Sequence, residues 1–169
     1  DIKQESNCPK DYWQLRGIRK VVFEFFQKRR ARWIEKIVRR GKVLEVGCGE
    51  NLTKLGKGFE IVGIDPYVNK KGILKKDFLN WKTKTKYDAV IFWESLEHVT
   101  EPQKYLMKAS KLLKKGGVLM AEYPRFDSWE SKFFGDKWYH LDLPRHLSHM
   151  TTGGMDILGS RAGFKKMVT

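Results

Sequence analysis

Two glycines and an aspartate, each placed at the end of an apolar run, are the residues best suited to hold a ligand. Gly47 and Gly49 follow the run at residues 43–46, and Asp65 ends the run at residues 61–64. Glycines let the backbone turn sharply and approach a ligand. A carboxylate at the end of the next parallel strand accepts hydrogen bonds from two vicinal ribose hydroxyls. The spacing predicts a nucleotide-type site at the carboxyl edge of a parallel sheet.

Leu52 narrows the choice of nucleotide. A dinucleotide-binding loop has a third glycine three residues after the second, and this chain has Leu52 at that place. We therefore predict a ligand that has a ribose and no pyrophosphate. We also predict a short helix over residues 52–57, whose first amides would face the ligand with the positive end of the helix dipole.

The chain around these residues resembles a known family. VLEVGCGEN at residues 43–51, followed by Asp65, resembles motif I and the acidic motif II of class I S-adenosylmethionine-dependent methyltransferases. YDAVIFWESLEHV at residues 87–99 and LMKASKLLKKGGVLMAEYP at residues 106–124 resemble motifs IV to VI. The resemblance covers residues 40–164. It implies a Rossmann-like α/β fold with a doubly wound, mostly parallel sheet, and S-adenosylmethionine as the cofactor.

The same resemblance implies which residues line the cofactor site. Asp77 would accept a hydrogen bond from the adenine amine, and Phe78 would cover a face of the ring. The alternative for Asp77 is an ordinary turn or helix-capping residue. The implied cofactor-binding residues are Glu45, Gly47, Cys48, Gly49, Asp65, Pro66, Asp77, Phe78, Trp93 and Glu94.

Histidines supply the candidate catalytic groups. Methyl transfer from a sulfonium needs alignment more than acid–base work. A hydroxyl acceptor nevertheless gains from a base with a pKa near neutrality, which favours histidine. His98 follows the strand expected at residues 87–93, and His146 lies in a long loop that can cover the same edge. We predict these two as catalytic, with a structural role as the alternative for each; His140 and His149 are weaker candidates.

Glu94, Glu97 and His98 form an E-x-x-E-H sequence, and His146 is a fourth group from the loop. This cluster is similar to the metal-binding cluster of small-RNA 3′-terminal 2′-O-methyltransferases and of ubiquinone-pathway O-methyltransferases. The similarity implies Mg²⁺ or a softer divalent ion that orients two adjacent hydroxyls. A Glu-His pair at this point also occurs in relatives that bind no metal. We therefore predict no metal, with the four-residue site as the alternative.

The N-terminal segment combines positive charge with an apolar stripe. The net charge is +14, and residues 16–42 contain eleven Lys and Arg against two Glu, which places +9 there. Apolar residues recur at three- and four-residue steps from Ile18 to Val38. This spacing predicts an amphipathic helix packed on the core, with a membrane-surface helix as the alternative. The charge favours an acidic acceptor, and a merely solvated surface explains it equally well.

A length of 169 residues predicts one domain. We divide it into a basic helical segment (1–41), a cofactor-binding core (42–123), an acceptor-side loop (124–150), and a last helix with a partial strand (151–169). The long aromatic loop is expected to be a lid over the acceptor. The sheet would lack its last strands, either cut short or completed by a partner. Two cysteines and the absence of a membrane-length apolar run favour a cytoplasmic location.

These features favour an S-adenosylmethionine-dependent methyltransferase that acts at oxygen or nitrogen of a small or medium acceptor, such as a sugar or glycan precursor. The E-x-x-E-H sequence and the basic helix leave a metal-assisted RNA 2′-O-methyltransferase as an alternative. Nucleic acid is less favoured because the chain has no RNP- or KH-type motif. A non-catalytic cofactor-binding subunit is a third hypothesis, and the oligomeric state stays open.

Overall fold

The computed structural model describes residues 17–167. The first sixteen residues of the basic segment, among them Cys8, and the last two residues of the chain lie outside the described part. Four strands follow α1 without an intervening helix, and helices return after β4. In order they are α1 (Ile18–Val38), β1 (Gly41–Val46), β2 (Phe59–Asp65), β3 (Ile73–Lys75), β4 (Tyr87–Trp93), a 3₁₀ turn (Leu96–His98), α2 (Pro102–Leu112), β5 (Leu113–Glu122), α3 (Trp129–Phe134), two 3₁₀ turns (Gly135–Lys137 and Tyr139–Leu141) and α4 (Thr152–Arg161).

The strands form one sheet in the order β3-β2-β1-β4-β5, and every pair in it is parallel. Val46 pairs with Ile64 on one side and with Phe92 on the other, so the residues that follow β1, β2 and β4 meet at one edge. This arrangement confirms the predicted α/β fold and its parallel sheet. It also explains why the glycine loop and Asp65 lie together.

Helices cover both faces of the sheet. Leu44 and Val46 pack in a core with residues of α2 and α4, whereas Val43 and Ile91 pack against Ile34 of α1. A strand that is buried on both faces needs a nearly continuous apolar sequence, which β1 and β4 have. The doubly wound arrangement therefore follows from these runs.

Only half of α1 packs as the apolar stripe predicted. Ile34 is fully buried, but Ile18, Val21 and Phe25 are 82%, 67% and 62% exposed. Arg30, in the middle of α1, already reaches Glu122 at the carboxyl end of β5, so the earlier turns extend beyond the sheet and have none of it to cover. The prediction of a core-facing stripe is wrong for this half of α1.

Residues 51–56 have no regular secondary structure, so the helix predicted at 52–57 is not formed. Two glutamate side chains accept hydrogen bonds from backbone amides of this segment. Thr53 N donates to Glu45 Oε2 at 2.9 Å, and Gly56 N donates to Glu35 Oε1 at 2.8 Å. A segment this short gains few helical hydrogen bonds. The segment at residues 51–56 therefore contributes no helix dipole to the glycine loop.

The segment at residues 124–150 is more ordered than a loop, since it contains α3 and two 3₁₀ turns. Its ends are joined, because Phe126 N donates to Met150 O at 2.8 Å. Its later part is fixed to the 3₁₀ turn after β4, where Glu97 O accepts from Leu147 N and Ser148 N at 2.7 and 3.1 Å. This anchoring brings the segment to the edge of the sheet that carries the glycine loop.

The residues after α4 correct the prediction of a partial strand at the end of the chain. Residues 164–167 form no strand, so the partial strand predicted after the last helix is absent as far as Met167. Within the described residues β5 is the outer strand on its side of the sheet. No helix between residues 17 and 167 is long and apolar enough to cross a membrane.

Candidate active site

The turn after β1 leaves no room for a side chain. Gly47 has φ +70°, and a Cβ built on it would lie 2.6 Å from Ser95 Cβ. Gly47 N donates to Ile64 O at 2.8 Å, and Ser95 Oγ donates to Val46 O at 2.9 Å. The loops after β1 and β4 are therefore in direct contact, which only glycine at position 47 permits. The predicted close turn is present.

Asp65 organises the turn after β2. Its Oδ1 accepts from Tyr67 N and Val68 N at 2.9 and 3.1 Å, and its Oδ2 accepts from Gly49 N at 3.0 Å. A carboxylate offers about four acceptor positions, so one remains, on Oδ2. Asp65 is thus joined to the glycine loop, and in this arrangement it can accept from one ribose hydroxyl rather than two.

A second group forms where the 3₁₀ turn after β4 meets the anchored segment. One carboxylate oxygen of Glu97 and one ring nitrogen each of His98 and His146 all lie within 4.8 Å of one another. The two imidazole rings have centroids 4.8 Å apart. Residues 97 and 146 are far apart in sequence, and the fold brings them together as the E-x-x-E-H pattern suggested.

Backbone carbonyls set the tautomers of both histidines. His98 Nδ1 lies 3.1 Å from Arg145 O, and His146 Nδ1 lies 2.7 Å from His140 O. A carbonyl only accepts, so both Nδ1 atoms carry the hydrogen, and each neutral ring keeps an unprotonated Nε2. Such a nitrogen can take a proton or bind a metal ion.

Burial shifts the pKa values of Glu97 and His146. It raises the pKa of Glu97 to about 7, and the nearby carboxylate of Glu94 acts in the same direction. Glu97 Oε2 has no hydrogen-bond partner among the described residues. Burial also lowers the pKa of His146, and the adjacent His98 contributes to the same shift. His146 is therefore neutral at pH 7.

Comparisons with known proteins agree with this geometry. A family model described as "Methyltransferase domain" matches residues 18–168. The chain belongs to this methyltransferase family. A solved S-adenosylmethionine-dependent methyltransferase from Archaeoglobus fulgidus has the same fold, with a TM-score of 0.64 and 20% identity, over 84% of this chain and 69% of that one. The family and the fold support S-adenosylmethionine as the cofactor.

Two curated relatives are ubiquinone biosynthesis O-methyltransferases. The protein from Pelagibacter ubique is 27% identical over 70% of this chain, and the one from Dechloromonas aromatica is 30% identical over 50% of it. The chain spans 62% and 46% of their respective lengths.

Several predicted cofactor residues of this methyltransferase domain instead support the loops. Glu45 is 2% exposed and holds Thr53 N, and burial raises its pKa to about 7. Trp93 donates from Nε1 to Thr53 Oγ1 at 3.1 Å. Both residues fix the segment that replaces the expected helix.

The Cys48 side chain lies over the backbone of β2. A Cβ on Gly63 of β2 would meet Cys48 Sγ at 2.6 Å and Leu52 Cδ2 at 2.7 Å. Both side chains therefore lie over the backbone of β2, and Gly63 makes the close approach possible. Burial raises the pKa of the Cys48 thiol to about 12, so it is protonated and unreactive.

The structure places Phe78, which was predicted to cover the adenine ring, in the hydrophobic core. Phe78 is 2% exposed. Its ring stacks on Tyr105 at 5.5 Å and meets the edge of Phe92 at 6.0 Å, so both neighbours are core residues. Asp77 Oδ1 accepts from Asn80 N at 2.8 Å, which is the turn role held as the alternative.

Arg30, which the sequence marked only as one of the basic residues of α1, connects α1 to the site. It is 9% exposed; its Nε donates to Glu122 Oε2 at 2.6 Å, and its guanidinium lies over the Trp93 ring at 5.5 Å. It also pairs with Glu94 at 3.4 Å, which has φ +48°. Glu94 is thus engaged by Arg30, and three of the four predicted metal ligands, Glu97, His98 and His146, come together.

Pro66 is the last of the predicted cofactor residues, and three further residues at this edge of the sheet were not predicted. Pro66 is exposed directly after Asp65, next to Tyr67, which is 57% exposed. Ser95, Arg30 and Glu122 were missed because their roles depend on contacts between distant parts of the chain. Only Ser95 carried a local signal, since it lies inside the motif that contains Glu94 and Glu97.

Proposed function

We propose that this protein transfers a methyl group from S-adenosylmethionine to a hydroxyl oxygen of a small acceptor, with His146 as the base. The pair of imidazoles at the carboxyl edge, each oriented through Nδ1 by a backbone carbonyl, carries the proposal. The names of the two curated relatives favour oxygen over nitrogen. The alternative acceptors, a sugar or glycan precursor and RNA, stay predictions, as does the cytoplasmic location.

The residues after β1 and β2 fit the cofactor. Gly47 lets the loop after β1 turn tightly against Ser95, and Asp65 has one acceptor position left for a ribose hydroxyl. The cofactor supplies an electrophilic methyl group on a positively charged sulfur. The protein therefore has only to align the acceptor and remove its proton.

His146 is suited to remove that proton. Its ring is oriented through Nδ1 by His140 O, and its Nε2 lies 3.7 Å from Asp142 Oδ2. When Nε2 takes the acceptor's proton, the carboxylate of Asp142 stabilises the imidazolium. His98 packs on the same ring and narrows the space in which the acceptor hydroxyl can lie.

Activity and binding together test the proposal. We would incubate the protein with S-adenosylmethionine and a panel of hydroxyl acceptors that includes catechol and methyl glucoside, and measure S-adenosylhomocysteine. His146→Ala should lower turnover at least a hundredfold while S-adenosylhomocysteine affinity stays within about twofold. Met107→Ala, at an exposed position of α2 outside the histidine cluster, is the control and should keep activity. Full activity in His146→Ala, or methyl found on nitrogen, would contradict the proposal.

A divalent metal at Glu97, His98 and His146 is the second candidate. One unpaired buried carboxylate oxygen and two oriented imidazoles suit zinc or a similar ion better than magnesium. Such an ion would polarise the acceptor hydroxyl. Calorimetric titration with Zn²⁺ tests this. Glu97→Gln should abolish binding and Glu94→Gln should leave it unchanged; absence of saturable binding to the unaltered protein would exclude the site.

A further inference from the structure

A cavity of about 390 Å³ lies beside the carboxyl end of β5, between the residues that follow this strand and the α3 region. Tyr123, Trp129, Trp138 and His140 supply aromatic surface to its lining. A volume of this size suits one small-molecule ring with its substituents.

Trp138 carries the observation that points to a ligand. Its side chain is 5% exposed, lines the cavity, and has an Nε1 with no hydrogen-bond partner among the described residues. Buried polar groups in folded proteins are nearly always paired. The indole of Trp93, which is also buried, donates to Thr53. Trp138 therefore keeps an unpaired, solvent-shielded donor in the wall of the cavity, which a ligand oxygen entering that wall would satisfy.

Neighbouring rings fix the orientation of that donor. Trp138 lies 6.1 Å from the Phe126 ring and 5.6 Å from the His140 ring, centroid to centroid. Its backbone N donates to Gly135 O at 3.2 Å. Both side chain and backbone are held, so the N–H direction is set before a ligand arrives.

The charges around the cavity favour a neutral ligand. Arg125 and Glu130 both line it and carry opposite charges. Arg125 Nε also lies 3.4 Å from Asp127 Oδ1. An anionic ligand would meet Glu130 as well as Arg125. A neutral hydroxyl, which both accepts and donates, can pair with either.

His140 links the cavity to the histidine pair. Its ring lines the cavity, and its carbonyl orients His146. A second route runs through rings, from Trp138 to Phe126, to His149 at 5.5 Å, and to His146 at 6.5 Å. The cavity and the base of the proposed reaction thus share one supporting framework.

We propose that this cavity binds a neutral, oxygen-bearing six-membered ring whose oxygen accepts a hydrogen bond from Trp138 Nε1, and that Trp138 determines acceptor specificity. The assignment of the ring as the methyl acceptor rests on the proposed function, whereas its binding does not. A phenolic ring and a sugar ring both present this chemistry, because each has a flat face for the aromatic lining and a hydroxyl for the indole.

Indole N–H resonances of the full chain labelled with ¹⁵N-tryptophan test the binding. Catechol and methyl β-glucoside are the two probes, with Trp138→Phe to assign the resonance. One probe at least should shift the Trp138 signal saturably and leave that of Trp93 in place. A shift with catechol alone identifies a phenolic ring, and a shift with the glucoside alone identifies a sugar. No shift with either probe, or a shift confined to Trp93, overturns the proposal.

Affinity in the variant gives a second criterion. Trp138→Phe keeps an aromatic ring and removes the N–H. The probe that binds the unaltered protein should therefore bind this variant at least fivefold more weakly. Trp129→Phe, at the same cavity, is the control and should change the affinity less. If Trp138→Phe does not fold, contacts to Phe126 in the unaltered protein assign the resonance instead. Saturable binding without methyl transfer would contradict the proposed function alone. Methyl transfer to a probe that leaves Trp138 unshifted would contradict the cavity alone.

Discussion

Gly47 and Ser95 touch so closely that a Cβ on Gly47 would lie 2.6 Å from Ser95 Cβ. The contact joins the loops that follow β1 and β4, which neighbour each other in the sheet. Because Gly47 also has φ +70°, the position excludes any side chain on two independent grounds, space and backbone conformation. The shape of the cofactor loop therefore depends on this contact.

Gly47→Ala should destabilise the protein by roughly 1–3 kcal/mol, from backbone strain and from displacement of Ser95. It should also weaken the binding of S-adenosylhomocysteine. Gly153→Ala is the control, because nothing lies within 4 Å of its Cβ and it is in helix α4; it should be neutral or stabilising. Urea denaturation measures both. Equal stabilities for the two variants would show that the loop tolerates a side chain.

Ile34→Ala and Phe25→Ala test the two halves of α1. Ile34 is fully buried. Its replacement by alanine should lower the free energy of unfolding by about 2–4 kcal/mol. Phe25 is 62% exposed, and its replacement should change stability by about 0.5 kcal/mol or less. The same denaturation experiment compares them. A loss at Phe25 as large as that at Ile34 would mean that this face is covered.

Variants of Arg30 and Arg32 distinguish a buried arginine that stabilises the fold from an exposed arginine that can attract an acceptor. Arg30→Gln removes the 2.6 Å contact to Glu122 and should lower stability by about 1–3 kcal/mol. Arg32 is exposed, so Arg32→Gln should leave stability unchanged, and it is the variant in which attraction of an acidic acceptor can be tested. If association with an acidic acceptor depends on salt equally in Arg32→Gln and the unaltered protein, this residue contributes no steering.

Glu45 should make stability depend on pH. Burial raises its pKa from 4.5 to about 7, so the folded protein holds a proton that the unfolded chain releases between these values. The stability from this group is fully present below pH 4.5 and is lost as the pH rises through 7. Glu45→Gln should therefore gain roughly 1–3 kcal/mol relative to the unaltered protein on going from pH 5 to pH 8. Exposed Glu60→Gln should gain nothing; an equal gain there would contradict the assignment.

The parts of the fold that the sequence predicted are those set by local pattern. The apolar runs of β1, β2 and β4 produce buried parallel strands, and Pro102 begins α2. The close turn at Gly47 follows from glycine alone. Sequence spacing also brought His98 and Glu97 to one site, because both follow the same strand.

The parts that the sequence missed depend on what a residue meets elsewhere in the chain. Periodicity predicts that α1 has an apolar face, but not that its first turns extend beyond the sheet. Phe78 has the right type for a ligand contact, and Tyr105 and Phe92 draw it into the core. Glu94 has the right spacing for a metal site, but Arg30, 64 positions earlier, pairs with it.

Calorimetric titration with S-adenosylhomocysteine tests the central claim most directly. The account predicts one saturable site in the unaltered protein, and affinity at least tenfold weaker in Asp65→Ala, because the acceptor for the ribose hydroxyl and for Gly49 N is lost. Asp156→Ala, which removes an exposed ion pair with Lys166, is the matched control, and thermal melting confirms that each variant is folded. Unchanged affinity in a folded Asp65→Ala variant would contradict the placement of the cofactor at this edge.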